Sequence, residues 1–143
     1  MACILIIDDD EAVRQATKIV LEANGFDVVA VADGKSGVGA IKERRFDLVI
    51  VDLFMPAMDG LTTTKAIHHL SPTLPVIAAS GFMFGGSCPD MPNFQTMATE
   101  AGAISTLYKP FRPKELLQAV QKAIGVPALK ADKPDSSVIL SLD

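Results

Sequence analysis

Five short apolar runs recur along this chain, Cys3 to Ile7, Phe26 to Val31, Phe46 to Val51, Pro75 to Ala79 and Ile104 to Tyr108, each of a length that suits a β-strand. The segments between them read as helices. Val13, Ala16, Val20 and Leu21 recur at helical spacing after an acidic start, and Asn24-Gly25 is a helix stop. Val38 and Ile41 make a short second helix, weakened by Gly37 and Gly39. Leu61, Ala66, Ile67 and Leu70 make a third that ends before Pro72, and Phe94, Met97, Ala98 and Ala101 a fourth before Gly102. Pro113 followed by Leu116, Leu117, Val120 and Ile124 gives a fifth, with proline in its first turn. Strands this apolar, alternating with helices, imply a parallel sheet covered on both faces, hence a doubly wound α/β fold.

Two segments fall outside this rhythm. From Gly81 to Asn93 the glycines and prolines argue against regular structure and the apolar side chains against simple solvation, which suggests a lid or a docking surface. After Gly125, prolines and Ser/Asp clusters suggest a flexible tail over 126–143, its Val138-Ile139-Leu140 end suited to an edge strand or a partner. One domain, 1–125, is therefore expected. With 13 basic residues scattered along it and a net charge of −4, the chain offers no face for direct nucleic-acid binding. The densest basic group, Lys42, Arg44 and Arg45, reads as a solvated helix end. No run approaches the roughly 20 apolar residues of a membrane span, and no basic region precedes the first apolar stretch, so a cytoplasmic location is expected. Cys3 sits in an apolar run and Cys88 in the Gly/Pro-rich loop, which is no disulfide framework.

In an open parallel sheet, ligands bind outside the carboxyl ends of the strands, near the point where strand order reverses. The polar residues cluster at those ends: Asp8, Asp9 and Asp10 follow the first strand, Asp52 closes the third, Ser80 the fourth and Lys109 the fifth. With strand order 2-1-3-4-5 these residues meet on one rim. Carboxylates so close stay ionised only with positive charge among them, and hard oxygen ligands favour Mg²⁺, an ion commonly held by one or two carboxylates and phosphate oxygens. Lys109 supplies an opposite pole, Ser80 a hydroxyl donor, and Asp52 a nucleophile. Taken singly, each residue has a plainer explanation as a helix cap or turn former. Four such residues at four strand ends make that explanation weak.

The blocks ILIIDDDEAVR, VDLFMPAMDG, PVIAASG and LYKPF, in that order, closely resemble the receiver domains of bacterial two-component response regulators over residues 2 to about 124. The resemblance implies a flavodoxin-like (βα)5 sandwich in which Asp52 accepts a phosphoryl group from a phosphohistidine on a sensor histidine kinase or histidine phosphotransfer protein. It implies Mg²⁺ (or Mn²⁺) held by Asp8, Asp9, Asp52 and the backbone carbonyl of Phe54, with Asp8 acting largely through water. Ser80 matches the switch hydroxyl and Lys109 the paired lysine, with a cis Lys109-Pro110 peptide. Such a domain is a signalling phosphoacceptor rather than an enzyme, with at most self-phosphorylation and autodephosphorylation. It acts on an unknown downstream protein, and homodimerisation on activation is compatible with the scheme. Asp10 and Asp59 are expected to be helix caps.

Three departures from the family pattern matter. Thr106 stands where an aromatic switch residue is common, and Tyr108, two residues on, is expected to face the other way. Phe54 places a bulky ring where family members tune the attack of water, so a slowly hydrolysed phosphoryl group is expected. The loop after Ser80 is longer than usual, and Ala79-Ser80-Gly81-Phe82 suggests a rearranged fourth helix. Other functions on a similar sheet fit less well. A haloacid-dehalogenase-type phosphatase carries its nucleophile after the first strand, and a flavodoxin-like cofactor binder needs a phosphate-cradling loop where four consecutive acids stand here. A degenerate receiver that binds partners without phosphorylation remains the alternative. The segment after Gly125 is too short for a DNA-binding domain, so a stand-alone regulator or a receiver from a larger protein such as a hybrid kinase is expected.

Overall fold

The computed structural model describes residues 2–53, 60–80 and 94–125. The elements alternate as β1 (Cys3–Ile7), α1 (Glu11–Ala23), β2 (Asp27–Val31), α2 (Gly34–Glu43), β3 (Leu48–Asp52), α3 (Gly60–Leu70), β4 (Val76–Ser80), α4 (Phe94–Ala101), β5 (Ser105–Tyr108) and α5 (Pro113–Ile124). All strand pairs are parallel, and the order is β2-β1-β3-β4-β5. This is the doubly wound architecture expected from the alternation of patterns. β2 and β3 start later than their apolar runs suggest, because Phe26 and Phe46 pack against the cores just before the ladder begins.

The sheet separates two apolar cores. Leu5, Ile7, Val49, Val51, Val76 and Ala78 face Ile67 and Ala98 on one side, with Val38 and Ile41 packed against them. Ile4, Ile6, Leu48, Ile50, Ile77 and Leu107 face Leu21, Leu116 and Val120 on the other. The central strands β1 and β3 are buried along their whole length, as a strand covered by helices on both faces must be. In β5 the period of two puts Thr106 and Tyr108 on the same face, opposite the buried Leu107, so the expectation that Tyr108 turns away from Thr106 is corrected. Thr106 is half-buried, while Tyr108 is exposed.

Local chemistry sets the helix ends. The Asp10 carboxylate accepts the Ala12 and Val13 amides at the start of α1, as a cap should. The Asp33 carboxylate accepts the Ser36 amide at 2.7 Å to open α2. Gly25, just past α1, has a φ of 91°, which a residue with a Cβ adopts only at a cost. The buried faces of α1 and α3 use threonine where the sequence pattern pointed to other residues. Ala16 is exposed and Thr17 is buried, its hydroxyl donating to the Val13 carbonyl at 2.7 Å. On α3, Thr63, Thr64 and Ile67 are buried and Leu70 is exposed. His68 and His69 are both exposed on α3, as expected.

Two glycines of α2 differ in kind. A Cβ on Gly37 would collide with the buried Ile7 side chain, so the helix approaches β1 closely only because that position is bare, whereas a Cβ on Gly39 meets nothing. Gly39→Ala is therefore expected to raise stability by about 0.5–1 kcal/mol through helix propensity. Gly37→Ala should lower it by about 1–3 kcal/mol through overpacking. Urea unfolding of both variants checks this, and a gain in stability from Gly37→Ala would contradict the packing.

Candidate functional site

The order β2-β1-β3 reverses chain direction across the sheet between β1 and β3, and the crevice this leaves at their carboxyl ends is where ligands collect in such folds. Asp8 follows β1 and Asp52 ends β3, so the two acids flank that crevice, both buried. Lys109 follows β5 and reaches across the rim. Its Nζ lies 2.5 Å from Asp8 Oδ2 and 3.3 Å from Asp52 Oδ2, with only 13% of the side chain exposed. The Lys109–Pro110 peptide is cis.

Asp8 is braced from several directions. Its second carboxylate oxygen accepts the Asp10 amide at 2.9 Å, its own amide donates to Val31 of β2, and its carbonyl accepts Nη1 of Arg14 at 2.9 Å. Asp9, next along the turn, is exposed. One ligand oxygen from each of Asp8, Asp9 and Asp52 lies within 4.8 Å of the others. Ser80 ends β4 in register with Tyr108, on the same rim. Phe54, Asp59, the 81–93 loop with Cys88 and the 126–143 tail lie outside the described residues.

The electrostatics follow from this crowding. Burial pushes the Asp8 carboxyl above its ordinary 3.8, against the pull of the Lys109 and Asp10 hydrogen bonds, and the neighbouring Asp52 charge pushes the same way. Burial alone would lower the Lys109 ammonium, but its hydrogen bond to Asp8 and the charge of Asp52 outweigh that and hold it above 10.5. Lys109 Nζ donates to one Asp8 oxygen and the Asp10 amide to the other, contacts that favour the ionised carboxylate. One lysine cannot balance three carboxylates. The donor set is all oxygen and carries excess negative charge, which fits a hard divalent cation.

Gly60, the first residue of α3, is a site residue that its place in a motif did not explain. A Cβ there would collide with the Asp52 carbonyl oxygen and the Leu53 Cα, so the helix start rests directly on the peptide of Asp52. The Gly60 amide donates to the Leu53 carbonyl and the Leu53 amide to Ala79 of β4, which fixes the chain just beyond Asp52. A glycine opening a helix eight residues after the acid was the available signal.

Comparison with known proteins agrees with this geometry. The sequence profile of the response regulator receiver domain matches residues 4–121. The chain belongs to the response regulator receiver family. The chemotaxis protein CheY of Bacillus subtilis is 36% identical over 123 residues, covering 85% of this chain and 97% of that protein. The DNA-binding response regulator MtrA of Mycobacterium tuberculosis is 32% identical over 118 residues, 82% of this chain and 48% of that protein. The chain thus spans about half the length of the mycobacterial regulators it matches. Among solved structures, a CheY-like receiver domain protein from Methanospirillum hungatei superposes with a TM-score of 0.78 at 28% identity, covering 87% of this chain and 94% of that one. Vibrio cholerae CheY4 gives 0.76 at 30% identity, covering 86% and 98%. No helix among the described residues is long and apolar enough to cross a membrane.

Removing Lys109 leaves two buried carboxylates facing each other. Lys109→Met is expected to cost about 3 kcal/mol of stability in cation-free buffer near neutral pH. Because folding raises the lysine pKa above 10.5, that contribution is fully present below 10.5 and is lost as pH rises through the folded value. Urea unfolding of both proteins across this range checks the sign, and a stability gap that widens in alkali would contradict it.

Proposed function

We propose that this receiver takes a phosphoryl group onto Asp52 from a phosphohistidine of a sensor histidine kinase or histidine phosphotransfer protein. An oxygen of the Asp52 carboxylate bonds to phosphorus as the phosphorus–nitrogen bond of phosphohistidine breaks, giving an acyl phosphate on the receiver and an imidazole on the donor that takes up a proton. The observation that carries the reading is the placement of Lys109: its ammonium stands 3.3 Å from Asp52 and touches Asp8 as well, ready to exchange one anionic partner for a phosphoryl oxygen.

Asp8, Asp9, Asp52 and the carbonyl of Phe54 would hold Mg²⁺ or Mn²⁺. When bound, the cation supplies charge neutralisation for the incoming phosphoryl oxygens. Asp8 keeps Lys109 in place from the β1 side, Ser80 would supply a hydroxyl to a phosphoryl oxygen, and Gly60 allows the start of α3 to rest on the peptide between Asp52 and Leu53. Occupancy of Asp52 shifts a two-state equilibrium through Ser80 and Thr106, and a protein partner reads the change. The chain is then a signalling phosphoacceptor whose only chemistry is its own phosphorylation and dephosphorylation. It acts in the cytoplasm, and its scattered basic residues suit protein contacts better than nucleic acid.

Incubation of the purified chain with Mg²⁺ and acetyl phosphate is expected to give a mass gain of one phosphoryl group, absent in Asp52→Asn and absent when Mg²⁺ is chelated. After donor removal the gain should persist well beyond seconds. No gain from acetyl phosphate or from a phosphorylated kinase would sink the reading and leave a receiver that acts by binding alone.

A further inference from the structure

Every polar group of Asp8 is engaged, by partners from different parts of the sheet rim. The amide donates to Val31 at the end of β2, one carboxylate oxygen accepts the Asp10 amide, the other accepts Lys109 beyond β5, and the carbonyl accepts Arg14 of α1. The last of these stands apart. Arg14 is half-buried, six residues along the chain, and among the described residues it forms no ion pair. A guanidinium beside an acidic rim would ordinarily be expected on a carboxylate, in the paired geometry that suits it. Here it donates to a backbone carbonyl 2.9 Å away.

That carbonyl belongs to the peptide joining Asp8 to Asp9. Upstream, the chain is fixed by the Asp8 amide on β2, and downstream by the Asp10 amide on the Asp8 carboxylate and by the Asp10 cap on α1. The plane of the peptide between them is held by Arg14. We infer that Arg14 is a positioning residue for the cation site, fixing the direction in which the exposed Asp9 carboxylate meets those of Asp8 and Asp52; this rests on reading those three acids as ligands of a divalent cation.

Charge and geometry predict opposite outcomes when Arg14 is removed. As a positive charge near the acidic rim, Arg14 opposes cation binding, so its loss through charge alone would tighten affinity. As the clamp on the Asp8 carbonyl, it preorganises the ligands, and loss of such an outer partner typically weakens metal affinity about 10–100-fold.

The test is calorimetric titration of the full chain with Mg²⁺, no phosphodonor present, for wild type, Arg14→Met and Arg14→Lys, with urea unfolding of each cation-free protein. Arg14→Met is expected to bind Mg²⁺ about 10-fold more weakly while still unfolding cooperatively. Arg14→Lys keeps the charge and lacks the guanidinium fork, and it should fall between wild type and Arg14→Met. Equal or tighter binding by folded Arg14→Met overturns the inference. Should Arg14→Met fail to fold, Arg14→Lys decides: weakened binding supports the clamp and unchanged binding overturns it. A wild-type chain that binds no Mg²⁺ overturns the cation reading and this inference with it, an outcome distinct from wild-type binding that the variants share.

Discussion

An ammonium held between two buried carboxylates organises this molecule. Lys109 comes from beyond β5, Asp8 from beyond β1 and Asp52 from the end of β3, so the contact can form only when β1, β3, β4 and β5 lie side by side in the sheet. Burying three charged groups is expensive, and the surroundings reduce that cost in separate ways. The Asp10 amide takes one Asp8 oxygen, Lys109 takes the other, and the opposite charges hold the lysine protonated. What remains is a surplus of negative charge at a rim that already contains a third acid, Asp9. A rim in that condition has the all-oxygen, negatively charged donor set that suits a hard divalent cation.

The rest of the fold keeps this arrangement in register. Two apolar cores clamp the sheet from both faces, and the fully buried strands β1 and β3 that carry the acids run through its middle. Close approach at two glycines matters as much as hydrophobic area. Bare Gly37 lets α2 press on Ile7, the residue before Asp8, and bare Gly60 lets α3 begin on the peptide of Asp52. Each acid therefore has a helix seated directly behind it.

Much of this was legible in the sequence because it rests on period and on position. The five apolar runs gave the strands within a residue or two, and the acids and lysine stood at strand ends where a parallel sheet gathers them. The misreadings have physical causes. Thr17, Thr63 and Thr64 are buried, and for Thr17 and Thr64 the hydroxyl returns to a carbonyl of the preceding turn, Val13 and Gly60, so polarity did not forecast exposure. Phe26 and Phe46 looked like strand residues because they are apolar and β-prone, yet they cap the cores from below. Tyr108 was misplaced although the period of two assigns it the face of Thr106. The collision at Gly60 and the reach of Arg14 to the Asp8 carbonyl depend on contacts through space, which no local pattern encodes.

Relatives such as CheY and MtrA share the fold and the family. The proposal specific to this chain is that an oxygen of Asp52 is the reacting atom. The most direct test is to reduce the acetyl-phosphate-treated protein with borohydride, which converts an aspartyl phosphate to homoserine, and to locate the change by peptide sequencing. The account predicts homoserine at residue 52 and nowhere else. Reduction at another acid, Asp8 or Asp9 included, would contradict it.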